Sequence, residues 1–294
     1  MINNTIICVK WGQKYGREYV EKLKKQCEDN CSVPFNFYCL TDNPVKDYDI
    51  LLPTYWDTYY HGAARGFFWA YRKCYMFSFV DDCLTEENGE PLLFEDGGKI
   101  LRHTSTKKDI VTYIKGHNSP SYDMELRPRA EFDKIEGNQF LFLDLDVIIH
   151  QDLKYFFDLP MDKPWIVRGW WNDIDHVKYN YPRYRSTALN SSVIRWNRGQ
   201  LVPVYKHINK NAEIVFFTYP SMDNYLNHHW YDCWDEEKGF FRGFPKGDIY
   251  SFYKGNTFPD DMELRKMRDN QRICLFNNST YTEGEYVEDI KEQW

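Results

Sequence analysis

A chain of 294 residues, 43% hydrophobic and 28% charged, can bury a sizeable core and fits one large α/β domain spanning residues 1–294. Its formal charge of −7 repels anions, which argues against nucleic acid as a partner and requires that any polyphosphate ligand be met by a metal or by a few placed cations. No window approaches the ~20 apolar residues of a membrane span, and the polar start Met1-Ile2-Asn3-Asn4 lacks the basic and apolar regions of an export signal. The expectation is a cytoplasmic protein, in the host's cytoplasm should its source be a virus. Eight cysteines are scattered, several inside apolar runs such as Ile6-Ile7-Cys8-Val9, and read as buried, reduced thiols.

The chain opens strand, helix, strand. Thr5 to Val9 is apolar and β-rich, Arg17 to Glu28 carries Tyr19, Val20, Leu23 and Cys27 at helical spacing, and Phe35 to Leu40 is again extended. Such a βαβ opening implies a parallel sheet with a right-handed crossover. The turn signal Thr41-Asp42-Asn43-Pro44 then marks its carboxyl edge, where open α/β sheets bind ligands. A helix is predicted over Gly66 to Val80, with Trp69, Lys73, Met76, Phe77 and Val80 on one side. From Cys83 to Lys134 the texture turns polar: the runs around Asp96-Gly97-Gly98 read as a β-hairpin over Leu92 to Leu101, and Thr106 to Ile114 as a short capped helix. Residues 83–134 are therefore expected to form a subdomain inserted into the single domain. The sheet resumes at Gln139 to Leu143, a continuous apolar run of the kind buried on both faces. Further strands are predicted at Trp165 to Val167 and Ser191 to Arg195, helices at Leu153 to Phe157, Gln200 to Lys210 and Met222 to His228. A last strand, Arg272 to Phe276, precedes a tail ending at Trp294.

The feature that carries chemistry is Phe142-Leu143-Asp144-Leu145-Asp146-Val147, two carboxylates in an apolar strand. Strand alternation would point Asp144 and Asp146 to one side about 7 Å apart, with Leu145 packed behind. Two like charges there need a counter-ion, and hard carboxylate oxygens suit Mg²⁺ or Mn²⁺ bridging phosphate oxygens. The rival pairs are weaker. Asp173 and Asp175 lack a leading strand, while Asp81-Asp82 and Asp260-Asp261 are adjacent residues whose side chains diverge.

Taken in order, Ile7-Cys8-Val9-Lys10-Trp11-Gly12 with Tyr15-Gly16, Phe37-Tyr38-Cys39-Leu40-Thr41-Asp42, the Asp144-x-Asp146 strand and Asn190-Ser191-Ser192-Val193 resemble bacterial and viral glycosyltransferases of the GT-A type. The resemblance covers about two thirds of the chain, leaving out the insertion and the tail. It implies a Rossmann-like, mixed and mostly parallel sheet flanked by helices, and transfer of a sugar, a hexose by analogy, from a UDP- or GDP-linked donor to a glycan, lipid or protein acceptor. It implies further that Val9, Lys10, Trp11 and Asp42 hold base and ribose, that Lys73 approaches the diphosphate, and that Asn190, Ser191 and Ser192 line the donor sugar. Asp223, with Asn190, then faces the reacting centre. Related proteins often place a third metal ligand, a His, on the strand that closes the site; here Asn277 stands in its place, with His228 and His229 as other sources of a ligand.

Plainer readings stand beside these. Lys10 fits a solvated strand end, Trp11 a core ring, Lys73 a lysine snorkelling from its helix, Asn190 and Asn277 turn residues, and Asp223 the N-terminal cap of its helix. Two rival functions also stand. A haloacid dehalogenase-like phosphatase would use Asp144 as nucleophile, although its motif belongs on the first strand and its later acidic partner is missing after Gly247-Asp248, where Phe252 occupies that place. The other is a catalytically inactive, carbohydrate-binding protein on a glycosyltransferase scaffold, suggested by an aromatic content of 18%.

Overall fold

The structure, a computed structural model, describes residues 2–53, 56, 68–79, 132, 134–173, 187–277 and 283–293. It is built on a seven-stranded sheet. β1 (Asn4–Lys10) pairs in parallel with β2 (Phe35–Thr41) on one side and β4 (Gln139–Leu143) on the other, and the short β3 (Asp49–Leu51) extends β2 at the edge. Beyond β4 come β7 (Leu189–Asn197), the one antiparallel strand, then β6 (Trp165–Arg168) and β8 (Arg242–Gly243), giving the order β3-β2-β1-β4-β7-β6-β8. A second sheet, β5 (Val147–Ile149), β10 (Ile273–Leu275) and β9 (Ile249–Ser251), packs below its carboxyl edge with β10 in the middle. The mixed, mostly parallel sheet flanked by helices is the fold class that the sequence implies.

Period-two alternation divides the core into two layers. Ile6, Cys8, Leu141, Leu143 and Val193 face α1 (Arg17–Asp29), the short α2 (Lys154–Asp158) and the second sheet. Ile7, Leu40, Phe140, Phe142, Ile194 and Trp196 face the 3₁₀ helix Phe68–Ser78, α3 (Val202–Thr218) and α4 (Met222–His229). Helix α1 is amphipathic as its spacing requires, burying Tyr19, Val20, Leu23 and Cys27. It also clamps β5: Gln26 Oε1 accepts from Ile149 N at 2.9 Å while its Nε2 donates to Val147 O at 3.4 Å.

Several boundaries differ from those the sequence predicts. The helix expected over Gly66 to Val80 is a 3₁₀ helix among the described residues, and α3 runs on to Thr218 through a kink at Asn211, whose side chain donates to His207 O. The C-terminal segment read as a tail forms α5 (Glu283–Gln293). The strand carrying the acidic motif ends at Leu143, so Asp144 and Asp146 lie on a turn into β5 rather than alternating along one strand. The physical reason is direct: β4 is covered on both faces by apolar side chains, and charge is accommodated only where the chain leaves the sheet. Leu145, 4% exposed, packs into the core as expected. The predicted hairpin Leu92 to Leu101 and helix Thr106 to Ile114 lie outside the described residues.

Candidate active site

Strand order reverses between β1 and β4, since β1 leads outward to β2 while β4 leads the other way to β7. The carboxyl ends of these strands therefore bound the crevice where an open α/β sheet binds its ligand. Antiparallel β7 enters the same crevice from the opposite direction. A bulge does the local work there: β6 pairs Val167 with Asn190 but Ile166 with Ile194, so Ser191, Ser192 and Val193 swell out of register on that side. Asn190 Oδ1 accepts from Ser192 N at 2.9 Å and holds the bulge shut. Its two serines then reach the acidic residues through backbone atoms, Ser192 O accepting from Asp144 N at 2.9 Å and Ser191 N donating to Asp223 Oδ1 at 3.1 Å. Asn190 thus does what a turn residue does, and in doing so shapes the site.

Lys73, on the 3₁₀ helix, places its Nζ 2.7 Å from Asp144 Oδ1 and 2.8 Å from Oδ2. The same Nζ lies over the Phe142 ring, 5.1 Å from the centroid. Asp146 is held by Tyr15, whose hydroxyl donates to Oδ2 at 2.9 Å, and its backbone oxygen accepts from Phe276 N at 3.2 Å. Burial and the neighbouring Asp144 push Asp146 up to about 7, against the pull of Tyr15, Lys73 and Lys14. Asp223 sits in the first turn of α4 but does not cap it; Ser221 does, its side chain accepting from Asn224 N. The carboxyl of Asp223 is pushed above the usual carboxylate range by burial and by Asp144, while Lys73 and the Ser191 hydroxyl and N–H pull it down. Three carboxylates thus share one electrostatic neighbourhood with the Lys73 ammonium.

Across the crevice, the end of β1 and the end of β2 are tied together. Gly12 N donates to Asp42 Oδ2 at 3.0 Å, and Lys10 Nζ to Gly12 O at 2.8 Å. Gly12 has φ of +63°, a left-handed position that lets the chain turn sharply after the strand. Trp11 is half-buried and has the Arg72 guanidinium over its ring, 3.4 Å from the centroid. The structure therefore gathers Val9, Lys10, Trp11 and Asp42 at one edge, next to the helix that carries Lys73.

Asn277, just past β10, directs its Oδ1 at Ser251 Oγ, which donates to it at 2.6 Å. His229 lies at the far end of α4, about 9 Å along the axis from Asp223, with its Nε2 bonded to Tyr219 Oη at 2.9 Å. Asp173 is exposed and Asp261 is paired with Arg268 at 2.7 Å; Asp81, Asp82 and Asp175 lie outside the described residues. Asp248, the acidic residue a phosphatase reading would need, is held by Tyr155 Oη at 2.7 Å and Arg272 Nε at 3.2 Å.

The sequence reading missed Lys254. It lies on the turn after β9, half-buried, with its pKa lowered by burial and raised in part by Asp223, so its charge is felt by the Asp223 carboxylate. The available signal was a single lysine between the aromatic run Tyr250 to Tyr253 and a glycine. Nothing in the local sequence Tyr15-Gly16 marks Tyr15 as the partner of Asp146, 131 residues away.

Two mutually repelling carboxylates on a turn at the sheet edge form a hard oxygen donor set that a divalent cation fits. Among the described residues no three His, Cys, Asp or Glu side chains are grouped closely enough to hold a metal ion. Asp144 and Asp146 would then leave most of the coordination sphere to substrate oxygens and water, and Asp223 stands apart from it.

No family model and no curated protein matches the sequence. Among solved structures the chain is similar to a glycosyltransferase involved in the glycosylation of the major capsid of PBCV-1, at 13% identity over 99% of each chain and a TM-score of 0.45. It is similar also to an active-site variant of LgtC, at 12% identity over 98% of this chain and 95% of that one with a TM-score of 0.42. GlyE of Streptococcus pneumoniae TIGR4 shares 10% identity over 99% of this chain and 60% of that one, with a TM-score of 0.44. Among the described residues no helix is long and apolar enough to cross a membrane.

Proposed function

We propose that the protein is a glycosyltransferase that moves a sugar from a nucleoside-diphosphate donor to an acceptor hydroxyl. What carries this reading is the convergence of Asp144, Asp146, Asp223 and Lys73 on one crevice at the strand-order reversal, with the β1 and β2 ends beside it. A donor fits with its base and ribose along Lys10, Trp11 and Asp42 and its diphosphate over Asp144, Asp146 and Lys73. The sugar then lies against the Asn190 to Ser192 bulge. Asp144 and Asp146 would hold Mn²⁺ or Mg²⁺. Such a cation, when bound, supplies positive charge where negative charge builds on the departing diphosphate.

The chain's own residues then have distinct tasks. Lys73, which neutralises Asp144, adds a fixed positive charge beside the phosphates. The Ser191 N–H and hydroxyl hold the Asp223 carboxyl at the crevice, where it would accept the acceptor's hydroxyl. As the anomeric C–O bond to phosphate breaks, its electron pair leaves with the nucleoside diphosphate. The acceptor oxygen bonds to the anomeric carbon and its proton passes to Asp223, whose burial makes it a better base than an exposed carboxylate. The test is a panel of UDP- and GDP-sugars with Mn²⁺, read by nucleotide release with and without sugar acceptors. Turnover by the wild type that disappears in Asp146→Ala supports the reading. Absence of turnover across the panel, together with hydrolysis of a generic phosphate ester, would establish the phosphatase instead.

A further inference from the structure

We propose that Asn277 and Ser251 position Lys254 as a direct ligand of the donor's diphosphate, an assignment that rests on the glycosyltransferase reading for the identity of that donor. The starting observation is the ammonium itself. Among the described residues Lys254 Nζ makes no hydrogen bond and no ion pair, although the side chain is half-buried and feels the Asp223 carboxylate. Its stem is covered while its ammonium keeps contact with solvent, so an anionic ligand in the crevice can take the place of water on it. The overall charge of −7 makes such a placed cation more necessary.

The backbone around Lys254 is built to hold it there. Ser251, fully buried at the end of β9, and Gly255 exchange two backbone hydrogen bonds of 3.0 Å, closing a tight turn with Lys254 inside it. Gly255 has φ of +90°, and a Cβ at that position would stand 2.8 Å from Met262 Cα, so the turn admits glycine alone. Within the turn Ser251 Oγ accepts from Lys254 N at 3.0 Å, and it can do so in a fixed orientation because its own proton goes to Asn277 Oδ1 at 2.6 Å. Asn277 follows Phe276, whose N–H holds the Asp146 carbonyl. One strand end thus sets both the acidic turn and the lysine turn, with Asn277 acting as a positioning residue through Ser251.

Pyrophosphate serves as the probe, titrated by calorimetry into the full chain first in EDTA and then with Mn²⁺. In EDTA, Lys254→Ala should weaken binding by about 10-fold or more, the loss expected for a charge-assisted hydrogen bond, and Lys254→Arg should retain most of the affinity. Asn277→Ala should weaken it by a smaller factor, about 3-fold, while lowering the melting temperature because the Ser251 hydroxyl is left stranded. It should cause no further loss when Lys254 is already alanine, the signature of two residues acting through one contact. Pyrophosphate affinity that is unmeasurable in the wild type, or unaffected by Lys254→Ala, overturns the proposal. So does a loss in Asn277→Ala seen only with Mn²⁺, which would make Asn277 a metal ligand, or losses that add in the double variant. If the expected pattern holds while no nucleotide sugar is turned over, the lysine site stands and the donor's identity falls.

Discussion

Replacing Asp223 by Asn separates chemistry from structure at this site. The amide is isosteric, its oxygen can still accept the 3.1 Å hydrogen bond from Ser191 N, and the helix cap at Ser221 is untouched. What disappears is the charge and the capacity to take a proton. Loss of a general base lowers rates by roughly 10²- to 10⁴-fold, about 3 to 5 kcal/mol on the barrier, and donor affinity should change little because the diphosphate lies over other residues. Stability follows from the sign of the pKa shift. Burial holds the folded carboxyl above its unfolded value, so the fold is favoured below the ordinary carboxylate range and loses that advantage as pH rises toward the raised folded value. At neutral pH the charge therefore weakens the fold, and the amide relieves this while giving up a first-turn dipole interaction of about 0.3 to 1 kcal/mol. The two oppose, so the melting temperature should move by no more than about 2 °C. Ser221→Ala, by contrast, removes the cap, worth ~1 kcal/mol, and should lower the melting temperature with kcat nearly intact. The measurements are kcat and KM for donor and acceptor with melting curves of both variants, plus a pH profile whose acid limb should lie above the usual carboxylate range and vanish in Asp223→Asn. A kcat within about 3-fold of wild type, or a melting temperature that drops as far as that of Ser221→Ala, would refute the chemical role.

Asp146→Ala should abolish turnover, read by nucleotide release, and also the extra thermal stabilisation that a nucleoside diphosphate gives in the presence of Mn²⁺, about 2.7 kcal/mol at a hundredfold excess over Kd in a competent protein, read by differential scanning calorimetry. Lys73→Met leaves Asp144 without its 2.7 Å partner in a position only 20% exposed, so the fold should weaken by about 3 kcal/mol in urea melts and nucleoside-diphosphate affinity should fall with it. Gly255→Ala forces a Cβ against Met262 at φ of +90° and should destabilise the chain by about 1 to 3 kcal/mol, with pyrophosphate binding reduced because the Lys254 turn opens; equal stability would show that the turn is not held as described.

What the sequence discloses and what it hides follows from how far apart the interacting residues are. β4 was legible to the residue, Gln139 to Leu143, because a run buried on both faces has no polar interruption to blur its ends. The same continuity misled the reading of Asp144 and Asp146, since apolar Val147, Ile148 and Ile149 resume at once and make the turn look like more strand; only pairing shows that β5 belongs to another sheet. Strands of two or three residues such as β3, β8 and β9 are too short to display any period, and their positions come from partners far along the chain. Helix α4 was placed correctly, but Ser221 and Asp223 are both good capping residues, and the choice between them depends on Ser191, 32 residues away, drawing the Asp223 carboxylate toward the crevice. Lys254 is the extreme case. Nothing local distinguishes it from a solvated turn lysine; it is set apart by Asn277, which lies 26 residues beyond Ser251 and acts through it, and by the charge of Asp223. The motif visible in sequence supplies the negative half of the site, because carboxylates in apolar surroundings stand out, whereas the cations that balance it arrive from a 3₁₀ helix and a glycine turn whose lysines look ordinary until the fold brings them to the acids. Net charge at the crevice is thus a property of the tertiary structure, and a variant that moves either lysine by one residue would keep every sequence motif while losing the balance that the proposed diphosphate binding requires.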